Sequence, residues 1–378
     1  MDMEPSRYFP IKSPPSLQHI MCVYIAQRNI DFNKIRNICQ NHYEIQNRYL
    51  STPRSAMVRE LTENNIRDLK SDALQRLSAY CLTDELTDQV MDHLLPLYNQ
   101  VFKFININEP LMSTTIDLKV CFVLNMDGSI NRYKTHKKII MNADISNKVK
   151  FASACALCSE EDILNILENA AEDEKLYDDY FNPPLVKVWR DILLRGHVKW
   201  PSSRFFFEKI ASHCEGAYYI IEKLPPDLRS SKINECFHNA VKYNTDIDFW
   251  LERMSSEQKK AVIRTQSYLI LVNYLEWPRV SHVVEAAKLV WAFLGTKKIC
   301  DFLWLVYKKI SARDIKAEFD YEPIFFKLWL ECPNELKEGP LRVRYELEAI
   351  YDKVTQTVRS HDSLKKFDKK RKLNMQNK

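Results

Sequence analysis

Tyr219-Ile-Ile-Glu-Lys-Leu-Pro-Pro-Asp-Leu-Arg-Ser-Ser-Lys-Ile233 is echoed 30 residues later by Phe249-Trp-Leu-Glu-Arg-Met-Ser-Ser-Glu-Gln-Lys-Lys-Ala-Val-Ile263. A looser copy, Leu305-Val-Tyr-Lys-Lys-Ile-Ser-Ala-Arg-Asp-Ile-Lys316, begins 56 residues after the second. Each copy has three apolar residues, two charged ones and another apolar one, followed by a helix stop and restart. In the second copy Ser255 offers a hydroxyl to the free N–H groups of a new helix, and Glu257 lies in its positive first turn. In the first copy Pro225 and Pro226 hold the same position, where a missing N–H costs nothing. Two chemistries for one task at one register identify a degenerate structural repeat. The expected fold is all-α, an irregular helical-repeat, solenoid-like stack of short antiparallel helices.

Composition agrees. The chain has five glycines in 378 residues, far below the usual share of about 7%. Hairpin turns and phosphate-cradling loops need glycine, whereas helix interiors do better without it. A 46% apolar content is enough for a large core. No basic segment leads into an N-terminal apolar run, and no 18-residue apolar stretch occurs, so neither a signal peptide nor a membrane span is expected. Ten scattered cysteines suit a reducing compartment. The expected location is cytoplasmic, or nuclear if the basic tail is a localisation signal.

The net charge of +5 is concentrated at the end. The last 14 residues carry +6, leaving the body at −1. Lys365, Lys366, Lys369, Lys370, Arg371 and Lys372 form a basic tail that reads as a localisation signal, a nucleic-acid patch or a solubilising end. The body has no basic field, so nucleic acid is not the expected partner.

Along the chain, residues 1–15 hold four prolines and read as an extended leader, and 361–378 as the disordered tail. An N-terminal helical region covers 16–110, a middle region 111–180, and the repeat region 181–360. The first helix begins near Ser16 and carries Leu17, Ile20, Met21, Tyr24 and Ile25 on one face. Ala73, Leu74, Leu77, Tyr80 and Cys81 form another face, and Thr83 or Asp84 caps the next helix, with Leu86, Val90, Leu94, Leu95 and Tyr98 inward. Ile116–Leu124 alternates somewhat like a strand. The preferred reading is that Met126-Asp-Gly-Ser129 is a turn feeding a helix over Asn131–Met141. Ser159-Glu-Glu-Asp162 has the form of a capping box, and Leu185, Val188, Trp189, Ile192 and Leu193 line a further helix. The tryptophans recur among Leu and Val, which points to packing between helices.

Ser16-Leu-Gln-His-Ile-Met-Cys-Val-Tyr-Ile-Ala26, Asp127-Gly-Ser-Ile-Asn-Arg-Tyr-Lys-Thr135, Tyr274-Leu-Glu-Trp-Pro278 and Leu289-Val-Trp-Ala-Phe-Leu294 resemble segments of a helical-repeat, loosely ankyrin-like protein family of arachnids. The resemblance spans most of 16–310. It implies stacked helices and brings no activity with it. The Thr-Pro-Leu-His turn of ankyrin repeats is absent.

No nucleotide-binding, zinc-protease or hydrolase string occurs, and no cofactor is expected. Cys155-Ala-Leu-Cys158 is a single CxxC near a helix end. A structural zinc needs four ligands, and a redox pair favours a helix start, so both cysteines read as core. His93, His213, His238 and His282 are isolated in helical sequence.

Function therefore reads as non-catalytic protein–protein interaction, with the partner surface expected chiefly across residues 200 to 335. The alternative is at the start. Ser16, Leu17, Met21 and Ile25 resemble the Elongin C-binding box of ubiquitin-ligase substrate receptors, in which apolar residues at four-residue intervals enter a partner's groove. Met21 stands where that box usually has Cys, and Cys22 is one residue out of register. A nucleic-acid-associated role through the basic tail is the remaining alternative.

Overall fold

The computed structural model describes residues 17–48, 61–114, 117–125, 128–170, 176, 184–196, 213–242, 246–311 and 321–332. These residues form fifteen α-helices, several short 3-10 turns and one isolated antiparallel bridge, Leu124 to Ile130. They fall into two compact units, one ending at Lys259 and the other starting at Lys260. The leader, residues 1–15, and the basic tail, residues 361–378, lie outside the described residues.

The first unit opens on four helices: α1 (Leu17–Arg28), α2 (Phe32–Arg48), α3 (Glu63–Leu77) and α4 (Asp84–Ile107). α4 is their hub, with α1, α2 and α3 all packed on it. Thr83 caps it by accepting the Leu86 N–H at 3.3 Å, and Val90, Leu94, Leu95 and Tyr98 are buried as the stripe requires. Pro96 lies within α4 without ending it. Tyr98 ties α4 to α3 and to the turn after α1: its hydroxyl accepts from Arg76 Nη2 at 2.9 Å and donates to the Asn29 carbonyl at 3.3 Å. Arg76 in turn lies 3.4 Å from Asp31.

α3 starts earlier than the apolar spacing indicates. Thr62 and Asn65 form a reciprocal cap, and the buried face is Ile66, Leu69, Ala73 and Leu77. Leu74, Tyr80 and Cys81, expected inward, are exposed. The face runs from Ile66 in steps of three, four and four residues through Leu69, Ala73 and Leu77, and Leu74, one residue past Ala73, is turned away from it.

The bridge at Leu124 closes the turn through Gly128, whose φ of 87° suits a residue without Cβ. The chain then enters α5 (Arg132–Met141), capped by Asn131. α6 (Asn147–Leu157) packs on α5, α7 (Glu160–Asn169) and α8 (Pro184–Arg195). The capping box expected at Ser159 does not form. Lys137 from α5 donates to both Ser159 Oγ and Asp162 instead, because a cation outcompetes a backbone amide for those oxygens. On α8, Leu185, Val188 and Trp189 are buried, whereas Leu193 is exposed.

Next come α9 (Cys214–Glu222), α10 (Pro226–Lys242) and α11 (Ile247–Arg253), which pack in succession. The first two copies of the repeated stretch fold alike locally. α9 stops at Glu222, Leu224 is buried, and α10 starts at Pro226. α11 stops at Arg253, Met254 is buried, and α12 (Ser256–Tyr274) starts under a box in which Ser255 Oγ accepts the Gln258 N–H and Gln258 Oε1 accepts the Ser255 N–H. Arg253 clamps the turn, its guanidinium 3.4 Å over the Phe249 ring and 4.8 Å over that of Tyr218.

In the second unit α12 bends at Gln266, where φ and ψ leave the helical range. Thr265 just before it donates to the Ala261 carbonyl, a back-bond that loosens helices. α13 (Val283–Val290) and α14 (Thr296–Ser311) both pack on α15 (Glu322–Glu331). Here the third copy departs from the first two. α14 continues through Lys308, Lys309 and Ile310 without a stop. Trp250 and Trp291 are core residues, while Trp277, Trp304 and Trp329 are half-buried.

Candidate functional site

Two features of the first unit stand out. The first is the outer face of α1. Leu17, Ile20, Met21, Tyr24 and Ile25 were expected to form its inward face, and the structure reverses this. Cys22, Val23 and Ala26 are buried, while Leu17, Met21 and Tyr24 are 76%, 50% and 47% exposed, and Ile20 and Ile25 are half-buried. Leu17, Met21 and Tyr24 are spaced i, i+4 and i+7, so they stand in one ridge. Arg28 continues it, its guanidinium 4.7 Å over the Tyr24 ring.

The reversal has a physical cause. α1 is apolar around nearly its whole circumference, so periodicity does not choose a face. α4 chooses it by contact, and small residues allow the closest approach. Gln18 seals the contact, donating to Gln89 of α4 at 2.7 Å. Cys22, one register off the Elongin-box position, belongs to this core side. Of the partner residues picked from sequence, Leu17 and Met21 share the exposed ridge, Ile25 borders it, and Ser16 lies outside the described residues, as do Lys365, Lys366, Lys369, Lys370, Arg371 and Lys372. Across 200–335, the stretch expected to carry the partner surface, the exposed large apolar residues among those described are Leu228 in the first unit and Leu269, Phe293 and Leu330 in the second, each on a different element.

The second feature is a buried histidine seam. His213 stands at the N-terminal boundary of α9 without a side-chain capping bond, and His136 lies on the inner face of α5; both are buried. Two small cavities meet at His213. One is bordered by Asn108, Ser153 and Leu185, the other by Phe104, Arg132, His136 and Glu215. In each, about 10 Å³ is open to the centre of a water molecule, which is room for one. The His136 ring packs 5.1 Å from that of Phe104, and its Nδ1 has no hydrogen-bond partner. Burial, with His213 and the Arg132 charge adding to it, pushes the His136 imidazole down to about 3. Burial and Arg132 push His213 down to about 3 as well. Both rings are therefore neutral across the physiological range. His136 had no distinguishing sequence signal, since it stands alone between basic residues.

The cysteine pair sits beside this seam. Cys155 is buried in the last turn of α6, and Cys158 holds the left-handed C-cap with φ of 51°. Trp189 Nε1 donates to Cys158 Sγ at 3.3 Å. Burial raises the Cys155 thiol well above its ordinary value and Cys158 to about 12. These are packed thiols with little thiolate character. Among the described residues no three His, Cys, Asp or Glu side chains converge to hold a metal, and no helix is long and apolar enough to cross a membrane.

Comparison with protein-family models, with curated proteins and with solved structures found no match.

Proposed function

We propose that the protein is a non-catalytic interaction scaffold, an irregular stack of helical repeats that binds a protein partner through the outer face of α1. The observation that carries this reading is the ridge of Leu17, Met21 and Tyr24 turned to solvent on a helix whose opposite side is anchored to α4. Single exposed apolar residues are common on protein surfaces, but three in one row on a held helix make a recognition face.

A second reading makes the partner specific. Leu17 and Met21 retain the four-residue spacing of an Elongin C-binding box, and Leu17, its anchor position, is the most exposed of the ridge. On this reading the protein is a ubiquitin-ligase substrate adaptor.

One substitution tests both. Leu17→Asp touches no core, so folding stability should stay within about 0.5 kcal/mol of the parent chain. Truncating a docking anchor costs about 2 kcal/mol or more, a loss near thirtyfold in affinity. Retention of the full chain on immobilised Elongin B–C, lost with Leu17→Asp, supports the adaptor. No retention of the parent chain removes it. If every partner crosslinked to the parent chain in its native cell is also crosslinked equally to Leu17→Asp, the ridge is not the docking face.

A further inference from the structure

We infer that the His136–His213 seam is an acid-sensitive catch, which holds α5 and α9 against α6 at neutral pH and releases them in mild acid. The geometry supplies the argument. Both imidazoles are enclosed, and the cavities beside them each have room for about one water molecule, too little to hydrate a cation. Nδ1 of His136 has no acceptor to share a proton with.

The facing charges give no relief. Among the described residues, α4 presents Phe104 and Ile107 to the seam, the turn after it Asn108, Pro110 and Leu111, α6 Ser153 and Ala156, and α8 Leu185, none of them ionisable. α5 contributes Arg132 and α9 contributes Glu215. These two already sum to zero, so a proton on either ring adds an uncompensated positive charge beside a guanidinium. A histidine freed from the seam takes up that proton at its ordinary value of about 6.5. Acid therefore favours the open arrangement of the α5–α6–α9 packing. The direction follows from linkage. A base that is neutral when packed and protonated when released stabilises the packed form above pH 6.5 and loses that contribution as pH falls towards 3.

Amide hydrogen exchange of the full chain at pH 7.5, 6.5, 5.5 and 5.0, corrected for intrinsic rates, reads this directly. In the parent chain the opening constant for 132–141, 147–157 and 214–222 should rise by about tenfold per pH unit for each histidine below pH 6.5, so about a hundredfold for the pair. Protection in 63–77, the histidine-free α3, should change far less. His136→Gln or His213→Gln should leave a tenfold dependence, and the double variant none. Equal pH dependence in the double variant overturns the inference, as does a uniform loss of protection across α1–α6. Should the double variant not fold, the imidazole resonances of the folded parent chain decide. Rings that stay neutral to pH 4.5 wherever the seam is packed support the catch, and rings that titrate near 6.5 with the seam intact sink it.

Discussion

Gly216→Ala probes how closely the helices of the first unit approach one another. Gly216 is buried in the first turn of α9. A Cβ there would meet Leu185 Cδ1 at 2.7 Å, Leu185 Cδ2 at 3.2 Å and the Ala156 carbonyl oxygen at 3.3 Å. Two opposing terms follow. Alanine is about 1 kcal/mol better than glycine within a helix. Overpacking a filled core costs about 1–3 kcal/mol. Leu185 is only 1% exposed, and the cavity it borders has room for one water, so its side chain has little freedom to swing aside. Ala156 presents backbone at the end of α6, which yields less still. The clash should win, and the variant should lose up to about 2 kcal/mol. Urea unfolding followed by tryptophan fluorescence measures the loss. In a Leu185→Ala background, which itself should cost about 2–5 kcal/mol, the clash is gone, and Gly216→Ala should become neutral or stabilising by up to about 1 kcal/mol. A gain of the full helix preference in the parent chain would show that α9 does not lie this close to α6 and α8, and the packing described for this unit would be wrong.

Leu94 of α4 is fully buried at the centre of the four-helix core, so Leu94→Ala should lower unfolding free energy by about 2–5 kcal/mol, read from the same urea titration. Thiol chemistry gives a different check. Cys81 is exposed and the other nine cysteines are buried, so the native chain at pH 8 should release one equivalent of a disulfide dye rapidly and the rest only on unfolding. Fast reaction at a second site would place one of the buried thiols at the surface.

Much of this architecture was legible in the chain itself. Glycine scarcity and apolar spacing identified helices, Thr83 and Ser255 announced two starts, and Gly128 and Ser129 fall in the turn before α5, with Met126 and Asp127 outside the described residues. These are local matters: a cap, a turn or an amphipathic stripe acts within a few residues, so the linear order contains the whole interaction. The first two copies, at 219 and 249, likewise fold as read because the stop and restart are built from adjacent residues.

The candidate sites were decided elsewhere. Nothing local orients α1, whose apolar residues surround the helix; only contact with α4 buries Cys22 and Ala26 and leaves Leu17, Met21 and Tyr24 outside. Ser159 and Asp162 spell a capping box, yet Lys137 reaches them from another helix and takes both oxygens. His136 and His213 are far apart in the chain and become one polar seam only when α5 and α9 close on α6. The amino-acid order thus determined which segments are helical and where they begin, because those choices are made by near neighbours. Which face each helix hides, and which side chains are left in water or sealed from it, was settled by the tertiary structure, because burial is a property of the partner a surface meets.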